Sequence, residues 1–182
     1  ALRAAEAAAR QPARSGRIHT PNGWTLPHRM NNGVKEFHLV AEEIEHEFAP
    51  GSKAKLWGYN SSTPGPTIEA TEGDRVRIFV TNRLPEHTSI HWHGQRLPNG
   101  MDGVGGLTQP QIPVGKTFVY AFDARRSGTF MYPPHADEMV QMAMGMMGFW
   151  ITHPKGKHPL IDDVNRDFVF LLNSYDIDPG AY

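Results

Sequence analysis

Two histidines separated by one residue, His91 and His93, are the residues of this chain best suited to chemistry. They lie in the segment TSIHWHG, which follows a predicted strand and is itself predicted to be extended. Side chains at positions i and i+2 of a strand project from the same face. Both imidazoles can therefore reach one metal ion or two neighbouring ions. The spacing alone fits ordinary half-exposed strand histidines equally well.

Composition narrows the metals that such a site can bind. The 182 residues include ten His, eight Met and no Cys. Disulfides, thiolate nucleophiles, iron–sulfur ligation and any copper site built on a Cys sulfur are therefore excluded. Imidazole suits copper, zinc, iron or nickel. The net charge of -1 gives no reason to expect binding to nucleic acid or to an anionic membrane surface.

The elements around the histidines predict an all-β domain. Short runs of alternating apolar residues recur between turn signals, as in sandwiches and barrels. The clearest run is DRVRIFVTN, in which Val76, Ile78 and Val80 share one face. STPGPTIEA predicts a turn that enters a strand, residues 95–115 predict a long loop, and ADEMVQMAM predicts one or two helical turns. The remaining strands are predicted at residues 34–42, 53–59, 116–124, 128–132, 146–153 and 166–176.

One complete domain is expected, with a segment on either side. Residues 1–30 are interpreted as an N-terminal tail, and its opening ALRAAEAAARQPARSGR is too charged to be the apolar part of a signal peptide. A helical or frayed tail and the start of an exported mature protein both fit this segment. Residues 31–155 form the domain. Residues 156–182 are interpreted as a linker and the first strand of a truncated second domain, and no run of about 18 apolar residues predicts a membrane span.

Several ordered motifs together resemble the multicopper oxidase family. HWHG matches the family's first copper motif, MDG its following loop, and GTFMYPPHADEM its Gly-Thr-aromatic step and second copper motif. STPGPTIEATEGDRVRIFVTNRL is similar to the family's N-terminal signature, so the resemblance covers residues 34–154. It implies a cupredoxin-like Greek-key β-sandwich or barrel, the N-terminal domain of a type 3 multicopper oxidase-like protein, with copper as cofactor.

The resemblance also implies roles for individual residues. His91 matches a ligand of the mononuclear type 2 copper, and His93 and His135 match ligands of the two type 3 coppers. Asp102 matches an acidic residue that assists proton delivery as the trinuclear cluster reduces dioxygen to water. On local sequence alone, Asp102 is a turn residue that precedes a glycine.

Two departures from the family pattern limit what the chain can do. The second motif reads Pro133-Pro134-His135, and proline has neither an imidazole nor a free backbone N–H. A type 3 copper therefore loses one donor. The family's C-terminal domain supplies a Cys-containing motif for the type 1 copper, which the chain lacks. We expect an incomplete cluster, an inactive isolated chain, a C-terminal cupredoxin partner domain and a reducing substrate that this sequence does not identify.

Other functions stay open at this stage. The three histidines could form one mononuclear copper or zinc site in a stand-alone binding module. Alternatively, the site could bind no metal, and the domain could serve assembly only. Copper stoichiometry distinguishes these alternatives. A homo-oligomer is also open, although every copy would lack Cys. The family resemblance implies a periplasmic or secreted location.

The methionine-rich segment after His135 has two interpretations. Its methionines fit a short helix that fills the core, or they bind Cu(I) through soft thioethers. The adjacent Asp137 and Glu138 either orient His135 as hydrogen-bond acceptors or cap the helix. The methionines concerned are Met139, Met142, Met144, Met146 and Met147.

Overall fold

The structure, a computed structural model, describes residues 18–176. In these residues the regular elements are ten strands, one short α-helix, α1 (Glu138–Ala143), and one 3₁₀ turn (Asn99–Met101). The strands are β1 (Ile18–His19), β2 (Arg29–Asn31), β3 (Val34–Ala49), β4 (Ser52–Tyr59), β5 (Gly65–Thr71), β6 (Arg75–Asn82), β7 (Thr117–Asp123), β8 (Gly128–Met131), β9 (Gly148–His153) and β10 (Asp167–Phe168).

Two sheets build the domain. The larger sheet has the order β2-β3-β6-β7, with β4 also paired to β3, and the smaller sheet has the order β5-β9-β8. The pairs β3–β6 and β5–β9 are parallel, whereas β3–β4, β6–β7 and β8–β9 are antiparallel. The predicted all-β class is confirmed, and the helical turns predicted in ADEMVQMAM are present as α1.

The core lies between the two sheets. Val76, Ile78 and Val80 of β6 are at most 2% exposed, as their alternation predicts. Burial of each such side chain contributes about 1.5–3 kcal/mol relative to leaving it in water. The same core cluster includes inward residues of β3, β5 and β9, namely Phe37, Leu39, Ala41, Ile68, Ala70 and Trp150.

Strand β3 is longer than the segment predicted for it. It continues past residue 42 to Ala49, because its second half pairs with β4 from Ala41 opposite Tyr59 to Ala49 opposite Ser52. This arm is polar, and Glu45 and Lys53 form an ion pair across it at 2.7 Å. One face of the arm is half-buried at Ile44 and His46, opposite Leu56 and Ala54. With a histidine on that face, apolar alternation gives only a weak signal for the strand.

The described part of the predicted N-terminal tail packs on the domain. Leu26 is 4% exposed and belongs to the core cluster. Its backbone N–H donates to Thr67 O at 2.8 Å, and Thr67 N donates to Trp24 O at 2.7 Å, so residues 24–26 lie against β5. Residues 1–17 lie outside the described residues.

Within the strand predicted at residues 166–176, two residues form a regular strand. Only Asp167–Phe168 is a strand, paired in parallel with Ile18–His19. Beyond it, no strand among residues 18–176 lies alongside to complete a ladder. The side chains still alternate: Val169 is 7% exposed, whereas Phe170 and Leu172 are 63% and 90% exposed.

Candidate metal centre

Two segments, residues 89–93 and 131–135, carry the predicted site, and we call them the histidine segments. They run antiparallel through isolated bridges rather than a regular ladder. The strand predicted at His91 and His93 is therefore wrong as a regular strand, because the two prolines of the opposite segment have no N–H to donate. The bonds that remain are His91 N to Pro133 O (2.9 Å), His93 N to Met131 O (3.1 Å) and His135 N to Ser89 O (3.1 Å).

The alternation of the two segments separates a core face from a site face. On the core face all four residues are buried, and two of them are aromatic residues that are 0% exposed: Ile90, Trp92, Tyr132 and Pro134. Residues opposite each other in an antiparallel pair share a face. The site face therefore carries Ser89, His91, His93, Met131, Pro133 and His135.

The structure brings the three predicted histidines together. The ring centroid of His91 is 5.4 Å from that of His93 and 5.4 Å from that of His135. His93 is exposed, and the other two are half-buried. Among residues 18–176, however, no three His, Asp or Glu side chains are arranged to hold a single ion. This geometry gives no support to a preformed three-histidine mononuclear site.

The imidazole of His91 is held by the loop that follows it. Its Nδ1 lies 2.7 Å from the backbone O of Asp102. A carbonyl oxygen can only accept, so Nδ1 carries the proton and Nε2 keeps its lone pair. A backbone acceptor on the second ring nitrogen is the usual support of a metal-binding histidine. The donor set at this point therefore fits a metal such as copper.

The carboxylate of Asp102 lies beside the same ring. Its Oδ1 is 3.6 Å from His91 Nδ1, beyond hydrogen-bond distance. The structure therefore brings Asp102 to the histidines both through its backbone oxygen and through its side chain. Asp102 is thus both a turn residue before a glycine and a polar residue at the site.

Gly103 allows this close approach. It has φ +87°, and a Cβ built on it would lie 1.7 Å from Ile90 O. Only glycine fits such a position, since a side chain would clash with backbone atoms and strain φ. Gly103 therefore keeps the Asp102 carbonyl against His91.

His135 lies just before α1, close to a carboxylate. Its Nε2 is 3.8 Å from Glu138 Oε2, which is an ion-pair distance rather than a hydrogen bond. The side chain of Asp137 accepts from Val140 N and caps the helix. Each acidic residue therefore fits one of the two interpretations. Asp137 caps the helix, and Glu138 lies beside the imidazole of His135.

Pro133 occupies the position at which the resemblance to the second copper motif predicts a fourth histidine ligand. It is buried on the site face, directly opposite His91 in the pairing of the two segments. Its carbonyl accepts from His91 N, so the backbone is well placed although the side chain has no donor atom.

Three residues that contact or support the site were not predicted from the sequence. The Oγ of Ser89 is buried on the site face with no hydrogen-bond partner among the described residues. The hydroxyl of Tyr120 accepts from Ile90 N at 3.0 Å, and burial raises its pKa to about 12. Gln141 is 0% exposed inside α1. Only Ser89 had a usable signal, because it is two residues before His91 and shares its face.

Some of the histidines that occur singly have structural contacts. His153 Nε2 is 2.8 Å from Glu69 Oε2 and links β9 to β5. The ring of His38 stacks on Phe79 with centroids 4.7 Å apart. These contacts agree with the structural role expected for isolated histidines.

Known proteins match this chain over the same region. The family profile described as "Multicopper oxidase" matches residues 40–157. "Copper resistance protein A" of Escherichia coli is 38% identical over 69% of this chain and 20% of its own length. "Laccase-1" of Cryptococcus neoformans var. grubii is 42% identical over 57% of this chain and 17% of its own length.

A solved structure shows the same fold. The "Multicopper oxidase from Campylobacter jejuni: a metallo-oxidase" superposes with a TM-score of 0.68 at 31% identity, over 78% of this chain and 30% of the other. The predicted cupredoxin-like architecture is thereby confirmed. The chain spans 20–26% of the length of the copper resistance proteins that it matches.

Proposed function

The chain belongs to the multicopper oxidase family, whose cofactor is copper, and we propose that it forms one wall of a copper site. In this proposal His91, His93 and His135 are the copper ligands that the chain contributes. The observation that carries it is the convergence of the three imidazoles on one face, with ring centroids 5.4 Å from His91 to each of the other two.

The chain's own residues hold and orient the ligands. The Asp102 carbonyl fixes the tautomer of His91, so that Nε2 faces outward as a ligand. The Asp102 carboxylate, 3.6 Å from the same ring, is positioned to hold a proton and pass it into the site. Bound copper supplies the one-electron chemistry by which oxidases of this kind reduce dioxygen to water.

We propose that the site is incomplete within this chain. The side chain of Pro133 offers no ligand on the site face, and the 182 residues include no Cys for a type 1 copper. Electrons from a reducing substrate therefore need a further cupredoxin domain. The short coverage of longer relatives supports this view, because the chain accounts for 20–26% of their length.

The C-terminal segment supports the proposed domain organisation. After a linker, we propose that residues 166–176 form the first strand of the following domain. The segment has one buried residue, Val169, between apolar residues that face solvent, Phe168, Phe170 and Leu172. An extended segment with an uncovered apolar face is what a strand looks like without the sheet that it joins.

A periplasmic or secreted location is proposed on family grounds. The relatives include copper resistance proteins and laccases by name. Within residues 18–176, no helix is long and apolar enough to cross a membrane. In the complete protein, dioxygen and a reducing substrate are the proposed reactants.

The proposed ligand role is tested by Cu(II) titration and EPR of the chain and of the variant His91→Ala. The exposed His38→Ala is the matched control, because it removes an imidazole far along the sequence on β3. We expect nitrogen hyperfine structure in the wild type and in the control, and a loss of Cu(II) affinity of about tenfold or more in His91→Ala. Equal affinity in all three proteins would contradict the proposal.

A further inference from the structure

We propose that Gln141 is a positioning residue for the candidate ligand His135. The inference rests on the proposed copper site, and it concerns how the chain fixes His135 relative to His91. The side chain of Gln141 joins α1, which follows the second histidine segment, to residues 86–88, which lead into the first. A side chain that connects these two parts of the chain sets how the candidate ligands face each other.

Gln141 lies where a glutamine is uncommon. It is 0% exposed, whereas its helix neighbours Met139 and Val140 are 87% and 46% exposed. Glutamine is mostly found at protein surfaces, and a buried amide costs free energy unless it is hydrogen-bonded. An apolar side chain would fill the same space without that cost. The hydrogen bonds of the amide are therefore what distinguishes Gln141 from an ordinary core residue of the helix.

The amide of Gln141 uses its oxygen and both of its hydrogens. Thr88 Oγ1 donates to Gln141 Oε1 at 2.6 Å. Gln141 Nε2 donates to Glu86 Oε1 at 2.7 Å and to the backbone O of His87 at 2.9 Å. An amide nitrogen has two hydrogens, so no donor is left over. These bonds fix the orientation of the amide and hold α1 against residues 86–88.

The bonds close a short segment of chain onto the first histidine segment. His135 N donates to Ser89 O at 3.1 Å, and Gln141 at the other end accepts from the adjacent Thr88. Residues 135–141 are therefore fixed at both ends to two neighbouring residues. Glu138 lies within this closed segment, and its Oε2 is 3.8 Å from His135 Nε2. The same bonds thus set the position of the His135 imidazole and of the carboxylate beside it.

The far end of α1 is held by other contacts. Met144 O accepts from Trp57 N at 2.9 Å, and Gly145 O accepts from Thr63 Oγ1 at 2.7 Å. Loss of the Gln141 bonds therefore leaves the C-terminal end of the helix in place. It releases the end that carries His135 and Glu138. The main consequence is then a displaced imidazole rather than a detached helix.

The proposal is tested by Cu(II) titration of the variant Gln141→Glu. This substitution keeps the shape of the side chain, removes both N–H donors and puts a second carboxylate beside Glu86. We expect Cu(II) affinity to fall about tenfold, as is usual when a group that orients a metal ligand is lost. Circular dichroism checks that each variant is folded before titration.

The matched control is Asn82→Asp. Asn82 is also 0% exposed, and its amide also donates two hydrogen bonds and accepts one. Its partners are Glu86 O, Ile112 O and Leu84 N, none of which lies in α1. The control therefore removes equivalent buried hydrogen bonds without releasing the helix. We expect Cu(II) affinity to stay unchanged in this variant.

A double-mutant cycle with His135→Ala separates positioning from a general structural role. Interaction between two substitutions measures whether one residue acts through the other. We expect Gln141→Glu to have no further effect on Cu(II) affinity once His135 is removed. A general loss of structure would lower the affinity equally with and without His135. If Gln141→Glu does not fold, Thr88→Val removes only the donor to Gln141 Oε1 and should show the same dependence on His135.

A reversal of the hydrogen-bond direction gives a rescue. When Glu86→Gln is added to Gln141→Glu, the amide at position 86 can donate to the carboxylate at position 141, so part of the Cu(II) affinity should return. An unchanged affinity in Gln141→Glu, or an equal loss with and without His135, would overturn the proposal. An unchanged affinity in His135→Ala alone would instead show that the ligand role itself is wrong, so the two failures are distinguishable.

Discussion

The two faces of the histidine segments differ in how much they depend on each residue. The core face is closed by aromatic packing: the Trp92 ring has centroids 5.2 Å from Tyr120, 6.0 Å from Tyr132 and 5.6 Å from Trp150. The site face carries imidazoles that are half-buried or exposed. The same backbone alternation thus places closely packed aromatic side chains on the core face and the candidate ligands on the site face.

This difference makes a proline at position 133, where we propose that a ligand is missing, compatible with the fold. A proline at position 133 keeps its carbonyl bonded to His91 N at 2.9 Å, so the pairing of the segments survives. The core face does not include position 133. Changes to the two faces should therefore have different consequences.

The largest expected effect is on the core face, with Trp92→Ala. Removal of this fully buried ring should lower the free energy of unfolding by about 3–5 kcal/mol. Urea denaturation measures the change, and Trp24→Ala, which removes an indole that is 40% exposed, is the matched control. A loss of similar size in the control would show that the cost does not come from burial of the ring on the core face.

The next largest effect is expected for Gly103→Ala, in the loop between the two histidine segments. The new Cβ would meet Ile90 O and move the Asp102 carbonyl away from His91, so both stability and Cu(II) affinity should fall. We expect a cost of about 2 kcal/mol or more. Gly106→Ala is the control, because φ is +82° there but nothing lies within 4 Å. Equal losses would mean that strain at φ, rather than the close approach, is responsible.

A smaller effect is expected under the core face, with Tyr120→Phe. Loss of the hydroxyl leaves Ile90 N–H without its acceptor, at a cost of about 1–3 kcal/mol. The pKa of Tyr120 is about 12 because of burial, above its usual value of about 10. Its contribution to stability is complete below the unfolded pKa and is lost as pH rises through the folded one.

Alkaline titration measures this contribution. Unfolding free energy against pH should fall less steeply between about pH 10 and 12 in Tyr120→Phe than in the wild type. Burial also raises the pKa of Tyr59 and Tyr132 well above the usual value, so part of the slope should remain. A slope identical to that of the wild type would contradict the assignment to Tyr120.

The smallest effect is expected on the site face, with Ser89→Ala. The buried Oγ has no partner among the described residues, so its removal should change stability by less than about 1 kcal/mol or increase it. The measurement is urea denaturation, with Thr88→Val as control, because Thr88 donates to the buried Gln141. A large loss in Ser89→Ala would show that the hydroxyl has a partner at the site.

Sequence reasoning succeeded where a residue's role follows from local periodicity. Alternation located the buried residues of β6, and the i, i+2 rule placed His91 and His93 on one face. It failed where tertiary contacts decide. The polar arm of β3 and the core position of Leu26 depend on partners that are distant in sequence.

The candidate site shows the same limit. The motif identified which histidines to compare, but not that the Asp102 backbone oxygen, rather than its carboxylate, bonds to His91. Nor could it show that Gln141 is a buried anchor, since a glutamine within a helix normally faces water. Backbone acceptors and buried amides have no signature in a sequence pattern.

The most direct test of the account compares copper binding by Pro133→His and Pro134→His. The two substitutions are identical and adjacent, but position 133 lies on the site face and position 134 on the core face. We predict that Pro133→His binds more copper per chain than the wild type, with the added copper coupled and EPR-silent. Pro134→His should bind no additional copper and should be less stable. Equal copper content in both variants, or a gain in Pro134→His alone, would contradict the assignment of these histidines to a copper site with one missing ligand.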